Sequence, residues 1–204
     1  SGDSEINRQR EWFRQTRQHN TLTLDGANIE KADSKCLDFT TSENLDLLCV
    51  ENPSYDNLSH RRTIHFPRKE FFVIIDEALG KRGGNVELNY HLLECEPKVD
   101  SSKHSITTRF ADKNNIHLQV WGAKRMRMQC DTGRVARLYR QYNERPSFRF
   151  SVEKEASAAV RFVTLIVPFE GDKAPKCGVK LKDNRLKIRS GKERYEIEVT
   201  PKTK

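Results

Sequence analysis

The residues whose types could do chemistry cluster in one short run. Residues 13–26 read FRQTRQHNTLTLDG. A basic, glutamine-rich arm gives way at His19 to an alternating strand that stops at Asp25-Gly26, a turn pair. A histidine at that junction has three physical readings: a solvated surface residue, a hydrogen-bonded core residue, or a ligand. Period two puts His19, Thr21 and Thr23 on one face and Leu22 and Leu24 on the other. The imidazole therefore belongs to the polar side. One histidine cannot hold a metal, because a protein zinc site takes three or four ligands, and no second histidine or acid lies at short spacing. His60, His65, His91, His104 and His117 are scattered one to a segment. The chain has no nucleophile elbow, Gly-rich phosphate loop, HExxH run or strong acid pair, so no catalytic residue is assigned within it.

A second constellation lies at residues 133–147, GRVARLYRQYNERPS, where Arg134, Arg137, Arg140 and Arg145 stand beside Tyr139 and Tyr142. Guanidinium forks bind carboxylate or sulfate in bidentate fashion, and aromatic rings can lie on sugar faces. The same mixture suits single-stranded nucleic acid, a contact with a partner domain, or a plain solvated sheet face. The net charge of +8 favours polyanionic partners. Acidic residues are mixed in elsewhere and no RRM, KH or zinc-finger signature is present, so nucleic acid is not the expected partner.

The elements that must position these residues read as β nearly throughout. Thr21–Leu24, Leu45–Val50, the two strands of Thr63–Ile75 about the Pro67–Glu70 turn, Asn85–Leu93 after Gly83-Gly84, Ile116–Val120, Lys124–Cys130, Ser147–Val152 and Ala158–Val167 all have strand character. Phe71–Ile75 is apolar without a break and is expected to be buried on both faces. Phe148, Phe150 and Val152 point inward and Arg149 outward. Two tail hairpins run over Val179–Ile188 around Asp183-Asn184 and Arg185–Val199 around Ser190-Gly191. The only helix expected is a short one over Glu5–Arg14 capped by Ser4. Lys31–Glu43, Val99–Asn115 and Gly171–Cys177 read as loops. The fold class is all-β, an antiparallel multi-sheet β-sandwich with at most one short N-terminal helix, in a single domain over residues 1–204. No apolar run approaches the roughly 20 residues that span a bilayer, and no membrane partner is expected. Five scattered cysteines, Cys36, Cys49, Cys95, Cys130 and Cys177, argue against a disulfide framework and read as small packing residues.

The stretch NRQREWFRQTRQHNTLTLDG resembles the segment that marks the heparinase II/III-like polysaccharide lyases, in which an FRxTxxHNT arm leads into a strand ending in Asp-Gly. Phe13, Arg14, Thr16, His19, Asn20, Thr21, Asp25 and Gly26 match in order. HRRTIHFPRKEFFVIIDE and YRQYNERPSFRF resemble the family's central hairpin and late strands. The resemblance implies a C-terminal β domain partnered by an N-terminal α/α toroid in a heparinase III-like lyase of heparan sulfate or a related glycosaminoglycan. Such enzymes cleave uronic-acid polysaccharides by β-elimination. It also implies that His19 is one of three protein ligands to a structural zinc. The other two ligands, the catalytic tyrosine and the toroid's asparagine and histidine lie upstream of the arm in those relatives. The expectation is therefore a truncated part of a lyase, inactive alone, with zinc in the full-length parent and none held stably by this chain. Arg10, Arg14 and Arg17 are the candidates for substrate carboxylate or sulfate, and a periplasmic or secreted location follows from the family. The alternative is a non-catalytic β-sandwich that binds acidic polysaccharide.

Overall fold

The computed structural model describes residues 2–30, 33–182 and 185–198. It opens with helix α1 (Gly2–Arg14) and a 3-10 turn (Thr16–Gln18). Strands β1 (Leu22–Leu24), β2 (Lys35–Thr40), β3 (Leu45–Tyr55), β4 (Leu58–Pro67), β5 (Phe72–Leu79) and β6 (Gly84–His91) follow. Next come β7 (Lys98–Asp100), a 3-10 turn (Ser101–Lys103), β8 (Ser105–Thr107), β9 (Asn114–Trp121), β10 (Arg127–Leu138), β11 (Gln141–Lys154) and β12 (Val160–Glu170). The chain closes with β13 (Cys177–Lys182), β14 (Arg185–Ser190) and β15 (Glu193–Glu198). The all-β class with one N-terminal helix is as the sequence reads. The helix starts at Gly2 rather than Glu5, which puts Ser4 inside the first turn instead of at a cap.

Three antiparallel sheets stack in layers. A four-stranded sheet runs β1-β6-β11-β10, an eight-stranded sheet β2-β3-β4-β5-β12-β9-β8-β7, and a three-stranded sheet β13-β14-β15. One core fills the space between the first two. Leu22, Leu24, Leu88 and Phe150 meet Ala78, Leu118 and Phe162 there, all essentially without solvent contact. A second core joins the other side of the middle sheet to the third, with Phe71, Val73, Ile75 and Leu165 against Leu186, Ile188 and Ile197. The middle sheet is thus covered on both faces, which explains why Phe71–Ile75 lacks alternation: Phe71, Val73 and Ile75 serve the second core, while on the opposite face Ile74 is buried and the half-buried Phe72 stacks on Phe66.

Two loop expectations and one strand expectation need correction. Lys31–Glu43 contains strand β2, which pairs along β3 with a bulge between Cys36 and Asp38. Its exposed KCLDFT lacks a clean period, so local pattern hid a strand that pairing on β3 creates. Val99–Asn115 contains β8 and most of β7, each only three residues long. Lys124–Cys130 is a strand only from Arg127 on. The turn at Asp183-Asn184 lies outside the described residues. Cys49 is buried as expected, but Cys36 and Cys130 are exposed, so packing does not account for those two.

His65 on β4 stands opposite Leu47 and Val73 and so shares the face turned to the third sheet. It is buried, and neither ring nitrogen has a partner among the described residues. Burial pulls its pKa down to about 4 from the ordinary 6.5. Between those values the unfolded chain takes up a proton that the folded chain refuses, so folding stability falls as pH drops from about 6.5 towards 4. The expected result is that His65→Leu gains on the original sequence by on the order of 2 kcal/mol as pH is lowered across that window. Urea unfolding at pH 7 and pH 4.5 measures it; a difference that stays constant with pH refutes it.

Candidate functional site

The arm that carries His19 is held by its main chain. His91 Nε2 donates to the Arg17 carbonyl at 3.0 Å. Arg145 Nη2 reaches the Gln18 carbonyl at 3.4 Å, and Arg62 Nη1 the Asn20 carbonyl at 2.7 Å. Asn89 donates to the Thr21 carbonyl through its backbone N–H at 3.0 Å and its amide at 3.2 Å. Asn20 Oδ1 in turn accepts the His91 backbone N–H at 2.8 Å. Upstream, the Thr16 N–H donates to Asn28 Oδ1 and Thr16 Oγ1 accepts from the Ile29 N–H. Each carbonyl of an irregular segment needs a donor when water is excluded, and here β4, β6 and β11 supply them.

Those bonds explain the residue types of the arm. Thr16 and Asn20 use their side chains to fix the backbone. His19 ends the 3-10 turn in an extended conformation; its side chain is exposed and makes no hydrogen bond among the described residues. The sequence placed Thr21 and Thr23 with it on a polar face. Thr23 is instead fully buried, because that face is covered too: its hydroxyl donates to Glu87 Oε2 at 3.2 Å and accepts from Asn89 Nδ2 at 3.3 Å.

His91 lies behind the arm in a defined tautomer. A carbonyl only accepts, so Nε2 carries the proton, and Nδ1 accepts from the Ser147 hydroxyl at 2.7 Å. Burial, aided by the nearby Arg145 and His19, pulls its pKa down to about 4 against the pull of the Arg17 carbonyl. It is a neutral positioning group at pH 7. Gly133 makes room for this pair: a Cβ there would stand 2.1 Å from Ser147 Oγ and 3.1 Å from His91 Nδ1.

Beneath Arg62 is a polar island between the first two sheets. Asp76 is fully buried, with His60 Nε2 at 2.6 Å and Arg62 Nε at 2.7 Å. Burial alone would raise its pKa, but the Arg62 charge and the His60 bond outweigh that and hold the carboxyl below its usual value. One guanidinium therefore joins a buried carboxylate to the carbonyl next to His19.

Beside the arm opens a cavity of about 250 Å³, lined among others by Trp12, Arg17, Gln18, His91, Asp131 and Arg149. Arg149, expected outward, is half-buried between Asp131 at 2.9 Å and Glu87 at 3.6 Å. Of the three arm arginines, only Arg17 lines this cavity. Arg10 is exposed on α1, and Arg14 pairs with Glu11 at 3.3 Å.

The interleaved Arg and Tyr surface is largely self-satisfied. Arg134 is stacked between Trp12 and Tyr142, 5.1 and 4.4 Å from the ring centroids, and so ties α1 to the β10–β11 hairpin. Arg137 forks onto Glu94 at 2.7 and 2.6 Å. Arg145 serves the Gln18 carbonyl. Arg140 stays at the exposed hairpin tip over Tyr139. That run forms the β10–β11 hairpin.

Among the described residues no group of three His, Cys, Asp or Glu is arranged to hold a metal ion. His19 alone does not fit a zinc site. A metal there needs ligands from beyond these residues. Sequence reasoning missed His91, Ser147, Gly133 and Arg62. They lie on β4, β6, β10 and β11, up to about 130 positions from His19, and only sheet pairing brings them to it.

Comparison with known proteins places the chain in a family. Residues 1–180 match the model of the heparinase II/III-like C-terminal family, and the chain belongs to that family. It is 36% identical over 181 residues to the heparin-sulfate lyase of Pedobacter heparinus, covering 88% of this chain and 28% of that protein. It is 35% identical over 184 residues to the heparin-sulfate lyase of Bacteroides stercoris, covering 90% and 28%. The crystal structure of the heparan sulfate lyase from Pedobacter heparinus superimposes with a TM-score of 0.91 at 32% identity, over 98% of this chain and 33% of that one. The chain thus spans little more than a quarter of the length of these curated relatives.

Proposed function

We propose that this chain is the β-domain portion of a lyase that cleaves heparan sulfate or a related uronic-acid polysaccharide by β-elimination. The observation that carries the reading is the backbone-clamped arm, which presents His19 to solvent and sets Arg17 in the wall of a cavity, within a domain of the heparinase II/III-like family. β-Elimination needs a base for the proton next to the uronate carboxylate, an acid for the leaving oxygen, and a positive group on the carboxylate. The titratable groups at the cavity are engaged, His91 by the Arg17 carbonyl and Ser147, and Asp131 by Arg149, so the acid and base roles fall to residues outside this chain, and the chain alone is inactive. Arg17, with Arg10 and Arg14 on the preceding helix, binds substrate carboxylate or sulfate. His19 contributes one ligand to a zinc ion whose other ligands come from outside this chain; such an ion fixes local geometry. An N-terminal toroid completes the cleft, and the protein works in the periplasm or outside the cell. The positive charge of Arg17 in the cavity wall, which makes no ion pair with any described residue, supports a polyanionic sugar as the ligand.

The test uses the full polypeptide that carries this chain. It is incubated with heparan sulfate, chondroitin sulfate and alginate, and the ultraviolet absorbance of newly formed unsaturated uronate is followed. A rise on heparan sulfate is the expected result. No rise on any of the three, from a folded protein, refutes the lyase reading and leaves a non-catalytic acidic-polysaccharide-binding sandwich.

A further inference from the structure

The far edge of the middle sheet forms a second and larger concavity. It measures about 1190 Å³ and lies between β7–β9 and the segment 172–177 that leads into β13, with Arg189 of β14 at its side. It shares no lining residue with the cavity beside His19. Seven cations and two carboxylates line it. The carboxylates are taken: Asp100 pairs with Lys103 at 3.0 Å and Asp172 with Lys113 at 2.6 Å. Lys98, Arg109, Lys173, Lys176 and Arg189 are exposed and make no ion pair with any described residue.

Packing does not call for this arrangement. All five unpaired cations are at the surface, where like charges facing one concavity repel each other and disfavour the compact state. A bound polyanion reverses that sign and releases its counterions. Ser105, Thr107 and Gln119 add hydroxyl and amide groups to the lining, suited to sugar hydroxyls. The lining has two aromatic rings, the half-buried Phe110 and the His117 imidazole bonded to Thr107, and no Trp or Tyr, so the stacked platform that single-stranded nucleic acid requires is missing among the described residues.

We infer that this groove is a second docking site for sulfated polysaccharide, separate from the His19 arm, which holds a distant stretch of the polymer by charge. The inference rests on the polyanionic-substrate reading above and adds a site to it. A two-point hold predicts a length effect. Long chains engage both places and gain from effective concentration, whereas a tetrasaccharide engages one.

The experiment replaces Lys98, Lys173 and Lys176 by alanine together in the full polypeptide. A control removes the same charge elsewhere with Lys180→Ala, Lys182→Ala and Lys187→Ala. KM and kcat are measured on polymeric heparan sulfate and on a heparan tetrasaccharide at low salt. The groove variant is expected to raise KM for the polymer about tenfold, with kcat and both tetrasaccharide constants unchanged, and the control to change nothing. An unchanged polymer KM, an equal effect from the control, or an equal rise for the tetrasaccharide overturns the second site. If the protein makes no unsaturated uronate at all, direct titration with polymeric heparan sulfate at two salt concentrations still decides. Weaker binding with a shallower salt dependence in the groove variant alone supports the groove even then. Equal affinity of the unmodified protein for single-stranded DNA of matched charge overturns its assignment to a sugar polymer.

Discussion

Asp76→Ala is expected to destabilise the fold by about 3–5 kcal/mol, because it strands the charge of Arg62 in a largely buried place. The carboxylate has no solvent exposure and serves two partners at once, the His60 ring at 2.6 Å and the Arg62 guanidinium at 2.7 Å. Removing one member of such a group costs far more than its net contribution, since the partners keep their desolvation penalty. The double substitution Asp76→Leu with Arg62→Met is expected to recover part of the loss by removing both charges. It would not recover the hydrogen bond to the Asn20 carbonyl, so proteolysis at the arm should stay faster than in the original sequence. Urea unfolding gives the first number, and limited proteolysis reads the second. A single Asp76→Ala variant within about 1 kcal/mol of the original would show that the island is not held as described.

His19→Ala in the full polypeptide is expected to have the opposite profile: a large functional loss on an unchanged fold. The imidazole is exposed and makes no hydrogen bond among the described residues, so with zinc chelated from both proteins the variant's stability should stay within about 0.5 kcal/mol of the original. On the ligand role proposed for His19, its loss should remove most of the zinc and lower unsaturated-uronate formation by about 100-fold or more. Elemental analysis, thermal unfolding and the absorbance assay report the three quantities separately. Full zinc content and full activity in the variant would remove His19 from any ligand role. Full zinc content with lost activity would make it a substrate contact instead.

The fold was legible in the sequence because its strongest strands sit in sheet interiors. Phe71–Ile75 announced a strand covered on both faces, and Phe148, Phe150 and Val152 their inward side, since burial there leaves a mark on residue type. β2 and β8 left no such mark. Their pairing is set by neighbours, and their exposed or very short runs carry no period. The site was legible only at its tip. The FRQTRQHNT run pointed to His19, but its support could not be read, because carbonyl oxygens look the same in every sequence. The donors that reach them, on β4, β6 and β11, are ordinary Arg, His and Asn residues inside ordinary strands. Arg134 and Arg137 have partners that were unreadable for a related reason. Their spacing with tyrosines reads as a ligand surface, while the same spacing builds an internal stack and a salt-linked hairpin.

An arm gripped through its carbonyls is indifferent to most of the side chains it displays. Between the turn at Thr16 and the strand at Leu22, the donors bond main-chain oxygens and one asparagine amide, never the side chains of residues 17, 18 or 19. Those three positions can therefore change character without loosening the scaffold. The segment behaves as a fixed rail with exchangeable fittings, where charge and reach toward a ligand can be retuned while the fold underneath stays as it is.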